Sequence, residues 1–254
     1  MSHTSRIRKV VPIGLLAMVL GGCASITTLR EKEVARIQLQ RAADMLNQRE
    51  YGPAAEAANE AIKADPSQAA AYNLLALIYL ETKRYEKSEE AFQKALAQQS
   101  QYPEVFNNLG VLYNRQERFK DAIPYFQKAL ADENYLTPEN AYTNMGYAYY
   151  RMGDYREALN QHQKALDVAP LFCLASKNMA DVYAKQKAYP KASRYYDKAV
   201  TNCPLYQESH YKLGLVLMKM GQRKVAKAEL EKLVRRHKSG PYVERSAEVL
   251  KWLK

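Results

Sequence analysis

Histidine and cysteine spacing often reveals nucleophilic or metal chemistry, and this sequence has four histidines and three cysteines. His3 belongs to the N-terminal segment and His237 to a basic run. His162 and His210 fall where large side chains pack between paired helices. No HExxH, phosphate loop, dinucleotide fingerprint or nucleophile elbow accompanies these residues. We therefore predict no enzymatic activity, no cofactor and no metal site.

The beginning of the chain has the layout of an export signal, with a basic start followed by an apolar stretch from Val10 to Leu20. That stretch has about eleven residues, which is too short to span a membrane comfortably. It ends in Leu20-Gly21-Gly22-Cys23, which resembles a bacterial lipobox. The resemblance implies cleavage before Cys23 and attachment of acyl chains, palmitate among them, to that residue. An ordinary signal peptide and an uncleaved anchor are the alternatives.

These features divide the chain into a signal peptide over residues 1–22 and a lipidated tether over residues 23–36. The tether is expected to become helical near Glu31. Ala24 follows the modified cysteine, where an Asp would suggest retention at the inner membrane. We therefore predict a lipid anchor in the outer membrane, with the protein facing the periplasm.

A spaced set of residues recurs along the rest of the chain. In one stretch Phe106, Leu109-Gly110 and Tyr113 precede Ala122, Phe126 and Ala129. This spacing resembles the tetratricopeptide (TPR) unit, a 34-residue helix–turn–helix in which a large residue of the second helix packs between small ones. We predict an all-α, right-handed superhelical solenoid over residues 37–254. It has about six repeats, at residues 35–68, 69–102, 103–138, 139–172, 173–206 and 207–238, and a capping helix at 241–254.

The third unit is two residues longer than the rule. The extra length lies at Tyr135, Leu136, Thr137 and Pro138. Thr137 is expected to cap the following helix, with Pro138 in its first turn. We expect this insertion loop to expose Tyr135 and Leu136.

The lipobox, the six repeats and the stretch A-D-E-N-Y-L-T-P-E-N-A-Y-T-N-M-G together resemble the pilotins of type IV pili, the PilF/PilW and Tgl group of TPR lipoproteins. That resemblance implies a protein that binds the pilus secretin, brings it to the outer membrane and promotes its multimerisation. The alternative is a general envelope scaffold that docks proteases or cell-wall enzymes, or that serves outer-membrane protein assembly.

Partner binding is expected in a groove lined by the first helix of each unit. Its polar members offer amides that can pair with a peptide backbone, and Lys177, Arg151 and Lys212 that can hold a carboxylate. Alternatively, Asn108, Asn144 and Asn178 form a structural ladder, since they share one repeat position. The predicted groove residues are Asn73, Asn107, Asn108, Val111, Asn140, Asn144, Tyr147, Arg151, Lys177, Asn178, Asp181 and Lys212.

Cys173 begins the fifth unit and Cys203 follows its second helix. The two ends of a helical hairpin lie side by side, so a disulfide between them is favoured in an oxidising compartment. Two small buried thiols are the alternative.

The chain has a net charge of +11, which becomes +8 once the three basic residues of the signal are removed. The strongest cluster runs from Arg235 to Lys238. An exported protein rarely meets nucleic acid, so such a surface suits anionic lipid, cell wall or an acidic protein. A solvated helix face is the alternative.

Overall fold

The computed structural model describes the backbone of residues 14–253 and the side chains of residues 28–253. Within that part the chain is helical and contains no strand. The helices are α1 (Gly14–Asn47), α2 (Tyr51–Ala64), α3 (Ala69–Glu81), α4 (Tyr85–Gln98), α5 (Pro103–Arg115), α6 (Phe119–Leu130), α7 (Pro138–Met152), α8 (Tyr155–Val168), α9 (Cys173–Lys185), α10 (Tyr189–Asn202), α11 (Gln207–Lys219), α12 (Arg223–Arg236) and α13 (Pro241–Trp252).

The chain forms two compact units, which divide after Ser100. The first contains α1 to α4. Its core is built mainly from small residues, because Ala42, Ala54 and Ala58 are fully buried and allow the helices to approach closely. Leu75 and Ile78 of α3 complete this core.

Helix α1 extends further towards the N-terminus than the sequence predicted. It is continuous from Gly14, so the predicted tether is helical before Glu31 as well as after it. The physical reason is that residues 29–41 contain no Pro or Gly and are rich in Arg, Lys, Glu and Gln, which favour helix. None of the helices described is long and apolar enough to cross a membrane. The side chain of Cys23 lies outside the described residues, so its acylation stays a prediction.

The second unit contains α5 to α13. In three of its four hairpins the paired helices pack through a glycine, and in the α9–α10 hairpin Ala180 takes that position. A Cβ atom at Gly146 would come 2.6 Å from His162 Cε1, and one at Gly214 would come 2.6 Å from Leu230 Cδ2. The missing side chain therefore lets a large residue of the second helix lie directly on the first, as the repeat spacing predicted.

The turn inside each hairpin contains one residue in the left-handed region. These residues are Arg49, Lys83, Glu117, Gly153, Lys187 and Gly221, with φ between 58° and 84°. Their positions differ by 34 residues, except for the 36 that separate Glu117 from Gly153. The insertion therefore lies between these two turns, where the connector spans residues 131–137, α6 is shorter than the other second helices described and α7 is longer than the other first helices from α3 on.

The insertion loop differs from expectation in two respects. Leu136 is 85% exposed, as predicted, but Tyr135 is only 6% exposed and packs with Phe126 and Met145. The ring turns inward because it covers apolar surface between α6 and α7, and burial raises the pKa of its hydroxyl. Thr137 occupies the N-cap position of α7, but its side chain makes no capping hydrogen bond there.

Helix α13 ends the second unit. Val243 is buried on its inner face, and Tyr242 packs against Tyr211 with ring centroids 5.7 Å apart. Trp252, in the last turn, is 88% exposed. The helix therefore covers part of α11 and α12 while its C-terminal end reaches into solvent.

Candidate functional site

The predicted groove residues all lie on first helices of the hairpins. Asn73 belongs to α3 in the first unit, and the other eleven belong to α5, α7, α9 and α11 in the second. Within the second unit they separate into two regions with different chemistry. We call them the amide–aromatic region, on α5 and α7, and the charge cluster, on α9 and α11.

The charge cluster consists of Lys177, Asp181, Glu208 and Lys212. Lys212 Nζ lies 2.9 Å from Asp181 Oδ1 and 2.7 Å from Glu208 Oε1. Lys177 Nζ lies 3.1 Å from Asp181 Oδ2 and 3.5 Å from Glu208 Oε1. Each lysine therefore contacts both carboxylates, and the four charges cancel.

The cluster is largely shielded from water, since the side chains of Lys177 and Asp181 are only 12% and 17% exposed. Burial disfavours the charged form of Lys177, but Asp181 and Glu208 outweigh it and raise its pKa. Burial likewise opposes ionisation of Glu208, and the two lysines nevertheless lower its pKa. The pKa shifts of Lys177, Lys212 and Glu208 all favour their ionised forms.

A tyrosine from α10 completes the cluster. The hydroxyl of Tyr196 donates a hydrogen bond to Asp181, and the ring is almost fully buried. Burial and the neighbouring Asp181 both raise the pKa of this hydroxyl. The carboxylate of Asp181 thus accepts bonds from three helices.

This arrangement corrects one expectation. Lys177 and Lys212 were predicted to hold a partner's carboxylate, but the chain's own acids already occupy them. A partner would have to displace a short, shielded ion pair to reach either lysine. The cluster therefore serves the cohesion of α9 and α11.

The amide–aromatic region is built differently. Asn144 Nδ2 donates to Asn107 Oδ1 at 3.1 Å, and Asn114 Nδ2 donates to the backbone oxygen of Asn144, also at 3.1 Å. These bonds join α5 to α7. Asn144 therefore pairs across neighbouring repeats, but with Asn107 rather than through the shared position of the predicted ladder.

Arg151 lies at the far end of this region. Its guanidinium donates to the Tyr147 hydroxyl at 2.7 Å and to Glu117 Oε1 at 2.8 Å. The guanidinium carbon also lies 4.8 Å from the ring centre of Phe119. Tyr147 is 36% exposed, so the region presents an aromatic ring and a stacked cation to solvent.

Several of these contributors were not among the predicted site residues. Glu208 could have been found from its i,i+4 spacing to Lys212 on one helix. Glu117 lies in the turn between α5 and α6, and Phe119 is the first residue of α6. Both contact Arg151, although they precede it by 34 and 32 residues in the sequence. No local signal reveals such contacts.

The two packing histidines are buried, as the repeat spacing predicted. His162 is 1% exposed, and neither ring nitrogen has a hydrogen-bond partner among the described residues. Burial, and then the nearby Lys177, lower its pKa to about 3, so the ring is neutral.

His210 is held differently. Its Nδ1 contacts Glu229, and its Nε2 lies 3.0 Å from the backbone oxygen of Pro204. Both ring nitrogens of His210 therefore have a partner, unlike those of His162. Neither histidine faces an open cavity, and within the described residues no group of side chains could hold a metal ion.

Cys173 and Cys203 form a disulfide with their Cα atoms 6.1 Å apart. Cys173 is the first residue of α9, and Cys203 caps the C-terminal end of α10. The bond closes one hairpin, the same one that supplies Lys177, Asp181 and Tyr196. Covalent and ionic contacts therefore reinforce a single part of the second unit.

Repeat-family comparisons agree with this architecture. Models of the tetratricopeptide repeat match residues 67–132, 102–170, 143–206 and 208–239. Together they cover more than half of the chain, which therefore belongs to the tetratricopeptide repeat proteins. Proteins of this class present extended surfaces that bind protein partners.

Among solved structures, two pilus proteins resemble this chain over most of its length. One is the crystal structure of PilW, a widely conserved type IV pilus biogenesis factor, whose sequence is 26% identical to this chain. The two structures match with a TM-score of 0.73, and the match covers 84% of this chain and 97% of PilW. The pilF protein of Pseudomonas aeruginosa is 24% identical, with a TM-score of 0.70 over 86% of this chain and 99% of that chain. The predicted resemblance to the PilF and PilW group is thus confirmed.

A third similar structure is YrrB, a TPR protein with an unusual peptide-binding site. It is 25% identical with a TM-score of 0.50, over 68% of this chain and 88% of that chain. The comparison with curated proteins gave no significant match.

Proposed function

We propose that this protein is a lipid-anchored pilotin that promotes outer-membrane localisation and multimerisation of the type IV pilus secretin. The observation that carries the proposal is the similarity to PilW, which extends over nearly all of that protein. The insertion between α6 and α7, placed where the pilotin pattern has its Y-x-T-P-E motif, adds support from the sequence. In this role the protein binds and positions a partner and catalyses no reaction.

The amide–aromatic region is the better candidate for the secretin contact. The amides of Asn107 and Asn144 bond to each other across two helices, and such side chains can exchange this bond for one to a peptide backbone. Tyr147 adds an exposed ring, a residue type enriched where binding energy concentrates. The charge cluster offers no comparable open group, because its lysines are paired.

The anchor is the second part of the proposal. Acylation of Cys23 would hold the chain at the periplasmic face of the outer membrane, since two or three acyl chains bind a bilayer stably. Replacement Cys23→Ala is expected to leave a folded protein that no longer fractionates with the outer membrane. Unchanged outer-membrane fractionation and normal function of that variant would contradict the anchor.

The decisive experiment is a blot for heat-resistant secretin multimers in cells with and without this protein. We expect loss of multimers with retention of the monomer. In complementation, the double replacement Asn144→Ala and Tyr147→Ala should fail to restore multimers, whereas Arg156→Ala, an exposed change on α8, should restore them. Unchanged multimers in the deletion strain would overturn the pilotin proposal.

A general envelope scaffold is the second candidate. The likeness to YrrB, a TPR protein with an unusual peptide-binding site, favours peptide binding without reference to pili. Under this alternative the Asn144→Ala and Tyr147→Ala replacements would abolish capture of another envelope protein while secretin multimers remained normal. The same blot therefore separates the two candidates.

A further inference from the structure

Three leucines are exposed to solvent in the connectors that lead into first helices of the second unit. Leu136, Leu171 and Leu205 are 85%, 73% and 72% exposed. Each lies two residues before the first residue of a helix: α7, α9 and α11 respectively. Single exposed apolar residues are common on protein surfaces, but Leu171 and Leu205 occupy equivalent repeat positions, and Leu136 lies in the corresponding connector before α7.

The three leucines lie along one edge of the second unit. Successive helices of a hairpin run in opposite directions, so every connection into a first helix of a hairpin returns to the same edge. A proline adjoins or lies close to each leucine, with Pro170 and Pro204 directly before Leu171 and Leu205. Because proline fixes its own φ, these loops hold their leucines in defined positions rather than letting them fold back.

Basic residues continue this edge beyond Leu205. Arg236 Nη1 donates to the backbone oxygen of Pro204 at 2.8 Å, and Gln207 Nε2 donates to the backbone oxygen of Ser239 at 3.3 Å. These bonds place the loop that carries Leu205 beside the loop that carries Lys238. Arg235 and Lys238 are both exposed there.

We propose that this edge, defined by Leu136, Leu171, Leu205, Arg235 and Lys238, lies on the surface of an anionic lipid bilayer. Side chains that project singly from separate loops suit a flat, deformable apolar medium, whereas a protein partner would need a matching pocket for each. Basic residues near such a surface each add about 1 kcal/mol of attraction to anionic headgroups. Asp132 and Glu133 adjoin Leu136, so the Lys238 end makes the closer electrostatic approach.

The contact is distinct from the acyl anchor and from the secretin-binding proposal. It uses only residues after Gln101. It would orient the second unit on a membrane whether or not an acyl anchor brings the chain there. The first helices would then begin at the bilayer and lead away from it. The amide–aromatic region on α5 and α7 would thereby stand at a fixed angle to the surface.

An environment-sensitive dye tests the contact directly. The full chain with Cys23→Ser is labelled at Leu136→Cys, or at Gln186→Cys as the matched control. Gln186 follows the last residue of α9 and so lies about 20 Å from the leucine edge along that helix. On vesicles containing phosphatidylglycerol we expect a blue shift, and quenching by brominated lipid, at residue 136 only.

Measurements of vesicle binding then show how much the leucines and the basic residues each contribute to affinity. The triple variant Leu136→Ser, Leu171→Ser and Leu205→Ser should bind these vesicles about tenfold more weakly, because the apolar contact is removed. A triple serine change at Val34, Ile37 and Val225, which are 42%, 52% and 54% exposed, should leave binding unaltered. Arg235→Gln and Lys238→Gln should each reduce binding roughly fivefold, in line with the attraction per basic residue.

Three outcomes would overturn the proposal. One is vesicle-bound protein whose dye at residue 136 stays water-like, since the N-terminal segment alone would then account for binding. Another is an equal shift at residue 186. The third is no binding to either anionic or phosphatidylcholine vesicles, which would leave the leucines to a protein partner.

Discussion

The amide–aromatic region and the charge cluster occupy equivalent faces of neighbouring repeats but have opposite properties. In the charge cluster each polar group has a short, shielded partner from the same chain, and a disulfide closes the hairpin that supplies it. In the amide–aromatic region the contacts are neutral amide bonds, an exposed ring and one solvent-exposed ion pair between Arg151 and Glu117, all of which solvent or a partner can replace. One repeat scaffold thus supports a stiff segment beside an adaptable one.

The disulfide should make the largest contribution to this difference. Replacement of Cys173 and Cys203 by serine is expected to reduce the free energy of unfolding by about 3–4 kcal/mol, because the unfolded chain regains the entropy of an open loop. Urea denaturation of the second unit, followed by circular dichroism, measures the change. Equal stability of the oxidised protein and the serine variant would show that the bond adds nothing.

Removal of one acid should break the charge cluster. Asp181→Ala leaves Lys177 and Lys212 as neighbouring shielded cations with a single carboxylate, and leaves the Tyr196 hydroxyl without its acceptor. We expect a loss of about 3 kcal/mol in unfolding free energy. The control Asp121→Ala removes an exposed pair with Arg118 and should cost less than about 1 kcal/mol. Similar losses in the two variants would refute the shielding argument.

Acid should weaken the neighbouring α7–α8 hairpin through His162. Its folded pKa of about 3 lies below the usual value of 6.5, so the unfolded state binds the proton first. The associated stability is complete above pH 6.5 and is lost as the pH falls from 6.5 towards 3, by at most about 1.4 kcal/mol per pH unit. In His162→Phe this part of the pH dependence should disappear, as measured by denaturation at several pH values.

The same replacement should also raise stability at neutral pH by about 1 kcal/mol, because two buried nitrogens without partners are removed. Phe126 already fills the equivalent place against Gly110, so the hairpin geometry accepts a phenyl ring there. A variant with the parental pH profile would mean that His162 is not the group responsible.

The smallest effect is expected at a turn. Lys187 has a φ of 61°, a conformation that costs a residue with a side chain more than it costs glycine. Lys187→Gly should therefore raise unfolding free energy by up to about 1 kcal/mol, whereas Gly153→Ala should lower it by a similar amount. Thermal melts of the two variants should shift in opposite directions, and equal shifts would exclude backbone strain as the cause.

The sequence predicted the helices of the repeats well because the apolar positions, the glycines and the small residues recur with one period. It also placed the site residues on the correct helices, since their positions follow from that period. The pairing of Lys177 and Lys212 with acids of the same chain was harder to predict from the sequence, because these salt bridges form between helices whose separation depends on packing. Tyr135 was misjudged for the same reason, since loop conformation decides which way a ring turns.

The left-handed residue in each hairpin turn has a consequence for how this protein can be rebuilt. Because the spacing changes only between Glu117 and Gly153, the extra two residues are accommodated by the connector before α7 and the helix ends that adjoin it. A hairpin is therefore an exchangeable part whose junctions fall just before α5, α7, α9 and α11. Transplanting the α9–α10 hairpin, disulfide included, into another repeat array would carry stiffness with it, while the connector before α7 has to keep Tyr135, whose buried ring packs with Phe126 and Met145.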